Sequence, residues 1–135
     1  METLTPKEQF LQSLDRCMEN EKFIPAFYDR FLSTSDEIRH KFRHTDFEQQ
    51  NKILLRSLRL AAGATAGDSE ALKELHDRAK THDQYHLNIE PPLYEIWLKA
   101  VIETVQEFDA EWDETVENTW RTILGYVINY MVKRY

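Results

Sequence analysis

The side chains of this chain best suited to holding a transition metal are its five histidines, His40, His44, His76, His82 and His86. A neutral imidazole offers one ring lone pair to iron, copper, nickel or zinc. His40/His44 and His82/His86 are each four positions apart, which puts each pair on one face wherever the segment is helical. There is no His-Glu-x-x-His and no carboxylate at matching spacing, so a two-histidine zinc site is not indicated. His82 stands apart because it continues a stripe of Leu72, Leu75 and Ala79, which turns it inward at the end of a helix. A buried neutral imidazole needs a partner for each nitrogen, and a metal on one with a carbonyl on the other meets that need. Earlier in the chain a hydroxyl, a ring, an amide and an aliphatic group follow one another as Tyr28, Phe42, Gln50 and Leu54.

The elements that must position these groups read as helices throughout. Thr5-Pro6-Lys7-Glu8 is a helix start, with a Thr cap, Pro in the first turn and Glu three residues after the cap. Phe10, Leu11, Leu14, Cys17 and Met18 then share one face. A second helix is expected over about 21–33, with Pro25 near its start, where a missing N–H costs least. Ser35-Asp36-Glu37-Ile38 opens a short helical turn ending at Phe42. Thr45-Asp46-Phe47-Glu48 repeats the capping-box chemistry and starts a helix with Ile53, Leu54, Leu58 and Ala61 on one side. The stretch 63–68 is the clearest loop, and a helix over about 69–85 follows it. Pro91-Pro92 begins a helix whose stripe runs Leu93, Ile96, Trp97, Ala100, Val101, Thr104, Val105 and Phe108. Val116, Trp120, Ile123, Leu124, Val127, Ile128 and Met131 mark the last. Six substantial helices plus short turns, with no strand-like alternation, make the expected class all-α.

The 135 residues fit one domain spanning 1–135, large enough for a real core. A net charge of −7 argues against duplex nucleic acid or an anionic membrane surface as partner and suits a monomer or weak dimer. Cys17 is the single cysteine, so no intramolecular disulfide forms, and its helical spacing suggests a buried apolar group. The first residues show no basic stretch followed by an apolar one, and no run of about 18 apolar residues occurs, so a cytoplasmic location is expected.

The order of these blocks resembles a bacterial single-domain globin, related to the globin domain of flavohaemoglobins. The resemblance covers about residues 8–131. It rests on Phe27-Tyr28-Asp29-Arg30-Phe31, Phe42, Thr45-Asp46-Phe47 with Gln50, and Ser57-Leu58. It continues through Thr81-His82, His86-Leu87-Asn88-Ile89, Leu93-Tyr94, Trp97-Leu98, Trp120-Arg121 and Tyr130-Met131. It implies a three-over-three helical sandwich around haem b. His82 matches the proximal iron ligand, and Phe42 the ring packed against the porphyrin. Tyr28 and Gln50 match the distal polar pair, with Gln49 in its place if the register slips, and Leu54 matches the apolar residue over the iron. Tyr94 and Trp97 count among the haem contacts. His86 and His44 suit propionate contacts, and His44 is also a candidate sixth ligand. Lys52, Arg56 and Arg78 read as solvated or propionate-facing charges. His76 is a rival proximal ligand that lies too far from Tyr94 in sequence.

The resemblance implies reversible binding of O₂, CO and NO. One alternative is NO dioxygenase or another haem redox activity, served by an external reductase. Another is a haem-based ligand sensor or a haem-free helical interaction module. Tyr94 resembles the tyrosine that, in flavohaemoglobins, joins a glutamate in polarising the proximal histidine. No Glu follows Glu117 here, so that carboxylate relay is expected to be absent and peroxidase-type chemistry correspondingly disfavoured.

Overall fold

The computed structural model describes residues 4–83 and 89–135, and the described residues form seven helices and no strand. They are α1 (Pro6–Met18), α2 (Phe23–Leu32), α3 (Asp36–Lys41), α4 (Phe47–Thr65), α5 (Ser69–His82), α6 (Pro91–Phe108) and α7 (Glu114–Lys133). The expected all-α class therefore stands, with the short turn after Ser35 realised as the six residues of α3.

Most helix starts carry a side-chain cap that the sequence announces. Thr5 accepts from the Glu8 N–H, Ser35 from Ile38, Asp68 from Glu70 and Ala71, and Asp113 from Val116. The cap of α4 is Asp46 rather than Thr45. Its carboxylate accepts from Glu48 and Gln49, a charge-assisted contact at the positive end of the helix. Helix α4 also runs further than expected, to Thr65, through part of the stretch read as loop. Ala61 to Ala64 are buried, and Gly63 lets α5 approach so closely that an added Cβ would meet the Ala71 Cβ at 3.2 Å. The turn itself is reduced to Ala66–Asp68, where Gly67 takes φ 88°.

The helices form two layers. In one, α4 packs on α1 and α5; in the other, α6 packs on α2 and α7. The layers meet through α1 on α6 and α7, and through α7 on α4 and α5, while α3 stays beside α2. Phe10, Leu14, Phe27, Ile38, Leu58, Val105, Trp120 and Ile123 fill the core. Two polar ties run through it. Arg30 on α2 donates to the buried Thr104 hydroxyl at 2.8 Å and to Glu107 at 2.6 Å, so Thr104, read as part of an apolar stripe, is a hydrogen-bonding position. Asp109, just after α6, binds Ser13 and Arg16 of α1, and Ser13 accepts from the Trp120 indole at 2.8 Å. Cys17 is buried, as its spacing suggested, and burial pushes its thiol up to about 12. Among the described residues no helix is long and apolar enough to cross a membrane.

Candidate functional site

Between the two layers lies a cavity of about 630 Å³, within the ~300–1,000 Å³ typical of small-molecule and cofactor sites. Its walls come from α2, the α3–α4 corner, α4, α5, α6 and α7, and are mostly apolar. Tyr28, Phe42, Gln50, Leu54, His82, Tyr94 and Trp97 all line it, so residues up to 69 positions apart converge on one space. Ile53 also lines it and is 37% exposed, a large aliphatic side chain left open where the sequence placed it with the inner face of α4.

On the α5 side, His82 ends its helix half-buried. The contact between its Nδ1 and the Arg78 carbonyl is 2.8 Å. A carbonyl only accepts, so Nδ1 carries the proton and Nε2 keeps the lone pair. Nε2 has no partner among the described residues. Burial lowers the His82 pKa, and the Arg78 charge adds to that, against the opposing effect of the carbonyl contact. The ring is thus held neutral, in the tautomer that a metal ligand needs. The inward stripe of α5 differs in detail from the expected one: Ala71, Leu75 and Ala79 are buried, while Leu72 sits to the side.

On the opposite side, Tyr28 is buried within an aromatic cluster. Its ring centroid lies 4.9 Å from Phe27, 5.3 Å from Phe47 and 6.3 Å from Phe42. Burial pushes its pKa up to about 12, so the hydroxyl keeps its proton. That hydroxyl reaches the Gln50 backbone carbonyl only at 3.5 Å, at the edge of hydrogen-bond range, which leaves it available to a group in the cavity. Gln50 faces the cavity and Gln49 is exposed.

Other histidines lie elsewhere. His40 and His44 are exposed, and α3 ends at Lys41, so this pair does not share one helix face as its spacing suggested. His44 does not line the cavity, although its neighbours Phe42 and Thr45 do. His76 is exposed, with Nδ1 3.1 Å from the Tyr130 hydroxyl. The helix expected over about 69–85 ends earlier, at His82, where Asp83 turns to an extended backbone, and His86 lies outside the described residues. No cluster of three metal-binding side chains occurs among the described residues, and among them His82 is the one histidine that lines the cavity.

Lys52 and Arg56 line a different groove, between α1, α4 and α5, and are exposed. Arg78, read alongside them as a solvated or propionate-facing charge, forms part of the cavity wall and is only partly exposed. The signal for it was present, since Ala71, Leu75, Arg78 and His82 repeat at four, three and four. Phe47, also outside the expected site, packs on Tyr28 and stacks with Phe42. Burial pushes the Tyr94 hydroxyl up to about 12, and among the described residues it makes no hydrogen bond to a carboxylate.

These residues fit a haem. A mostly apolar cavity is lined by aromatic and aliphatic side chains, and the neutral imidazole of His82, the hydroxyl of Tyr28 and the amide of Gln50 line it together.

The comparisons with known proteins agree. No curated protein matches the chain. A crystal structure of protein PA3967 from Pseudomonas aeruginosa PAO1, described as structurally highly homologous to a human hemoglobin, superposes with a TM-score of 0.92 at 30% identity. The match covers 97% of this chain and 98% of that one. A family profile described as Globin matches residues 25–131, and the chain belongs to the globin family.

Proposed function

We propose that this globin binds O₂ and other diatomic gases reversibly at the iron of a haem b ligated by His82, with Tyr28 and Gln50 setting the affinity. The observation that carries this reading is the half-buried His82, whose Nδ1 is engaged by the Arg78 carbonyl and whose ring, with Nε2 unpartnered among the described residues, lines a cavity shared with Tyr28 and Gln50. A haem held there would supply an iron able to take a diatomic ligand. Tyr28 would hold its hydroxyl proton toward that ligand as a hydrogen-bond donor, and Gln50 would supply a second polar group. Leu54 and Phe42 limit water entry. Tyr94 makes no carboxylate contact among the described residues, so His82 gains no imidazolate character by that route, which favours reversible binding over peroxidase-type cleavage.

An absorption spectrum of the purified protein, ferric and then dithionite-reduced, without and with CO, tests the proposal. A Soret band that shifts sharply on CO addition is the expected result. No Soret band after added haemin would remove it.

Tyr28→Phe is expected to raise the O₂ dissociation rate at least tenfold, because a hydrogen bond to a charged group contributes ~1.5–3 kcal/mol. Thermal stability should barely change, since the hydroxyl's hydrogen-bond contact among the described residues is 3.5 Å long. An unchanged off-rate in flash photolysis would assign the donor role elsewhere.

A further inference from the structure

We propose that Arg78 sets the electron affinity of the iron centre, by placing a fixed positive charge in the cavity wall beside His82 that favours the reduced metal. The inference rests on the haem reading above. It starts from an anomaly of placement. Arg78 sits one turn before His82, and its backbone carbonyl is the group that engages the His82 Nδ1. Its side chain lines the cavity and is only 25% exposed. Among the described residues its Nε is buried with no hydrogen-bond partner.

The surrounding groups hold the guanidinium without neutralising it. Nη1 donates to Ser57 Oγ at 2.6 Å. Ser57 in turn donates its own proton to the Ile53 carbonyl at 2.7 Å, so its lone pairs are fixed toward the guanidinium. Among the described residues the carboxylate paired with it is Glu74, 3.6 Å from Nη2 and shared with Arg56, whose Nε is 3.1 Å from it. Two guanidinium groups against one carboxylate leave a local charge of about +1. The described lining of the cavity contains no Asp or Glu, and Lys41 is its other cation.

A ferric haem carries one more positive charge than a ferrous one. A cation in a mostly apolar wall therefore raises the energy of the ferric state relative to the ferrous state, and is screened less there than at the surface. The same charge disfavours protonation of His82 and does nothing to draw off its Nδ1 proton, the opposite of a carboxylate partner. One electron enters the iron on reduction, and no proton need move. Ser57 acts as a positioning residue for the guanidinium.

Spectroelectrochemical titration of the haem-loaded protein tests this. Arg78→Leu is expected to shift the ferric-to-ferrous ratio about tenfold toward ferric at a fixed electrode potential, a midpoint about 59 mV lower. Arg78→Lys should stay within about twofold of wild type. Glu74→Gln, which keeps Arg78 and removes its counter-charge, should move the midpoint upward and serves if Arg78→Leu does not fold. An unmoved midpoint in Arg78→Leu or Glu74→Gln with a wild-type Soret band would overturn the proposal while leaving the haem reading intact. So would equal shifts in the Leu and Lys variants, or faster haem release to an acceptor protein without a change in potential. Absence of any Soret band in the wild type would instead strike the haem reading, and this inference with it.

Discussion

His82→Gly is expected to weaken haem binding by at least a hundredfold and to abolish the histidine-ligated ferrous spectrum. His82 brings the one imidazole among the described residues to the cavity, and its neutral tautomer is held by the 2.8 Å contact to the Arg78 carbonyl. Removing outer-shell partners of a metal ligand alone typically costs 10–100-fold in affinity, so removing the ligand itself should exceed that. Folding should survive, because His82 is the last residue of α5 and only half-buried. The substitution also opens a space of imidazole size, and imidazole added in the millimolar range should restore a histidine-like spectrum. His76→Ala and His44→Ala are the controls. Both residues are exposed and neither lines the cavity, so both variants should bind haem as the wild type does. Haemin titration followed by Soret absorbance reads all three. An unaltered titration for His82→Gly, or a loss in His76→Ala instead, would move the proximal ligand to another residue.

The reasons His82 was readable from sequence also explain what was not. A helix periodicity fixes which side chains share a face, so the inward direction of His82, Leu54 and Trp120 followed from spacing alone. Caps fix where helices begin, and Thr5 and Ser35 were readable from residue type. Helix ends are less well marked. Gly63 reads locally as a breaker, yet it lies inside α4, because the gain comes from close packing on Ala71 of α5, a contact that no local rule contains. Residue type was misleading for Arg56 and Arg78, although spacing separates them. Both are basic residues on helices that flank the cavity, but Arg78 continues the repeat of Ala71, Leu75 and His82 into the wall, whereas Arg56 lies off the stripe of Leu54, Leu58 and Ala61 and faces another groove. Ile53 shows the converse. An aliphatic residue at an inward spacing is exposed among the described residues because it faces the cavity rather than another helix. The convergence of Tyr28, Gln50 and His82 on one space depends on how the two layers sit on each other, and in sequence it was carried by the family resemblance alone.

Replacing Asp109 by Asn is expected to cost about 3 kcal/mol of folding stability at pH 7, the low end for breaking a buried ion pair. The Asp109 side chain is fully buried, whereas Arg16 is 21% exposed. Asp109 accepts from Arg16 Nε at 2.6 Å and Nη2 at 2.9 Å, from the Ser13 hydroxyl at 2.6 Å and from the Glu111 N–H at 2.9 Å. Through Ser13 the same group anchors the Trp120 indole, so one carboxylate ties α1 to the α6–α7 corner and to the first half of α7. Asparagine keeps the shape but leaves the guanidinium without its partner; Glu111, 3.4 Å from Arg16 Nε, offsets part of the loss. The loss corresponds to a fall of roughly 10 °C in Tm for a chain of this size.

The pH dependence follows from the same contacts. Burial alone would raise the Asp109 pKa, but the hydrogen bonds from Arg16, Ser13 and Glu111 together with the Arg16 charge outweigh it and hold the carboxyl below its ordinary value. A carboxyl whose folded pKa is depressed stabilises the fold fully above its unfolded pKa, near 3.9, and loses that contribution as pH falls through the lower folded value. The wild type should therefore lead Asp109→Asn by its full margin at pH 7 and pH 5. The margin should then shrink as pH falls below about 4. Urea unfolding of both proteins across that range measures it. A margin unchanged down to pH 2.5 would mean that Asp109 contributes through shape rather than charge, and no margin at pH 7 would remove it from the stabilising network altogether.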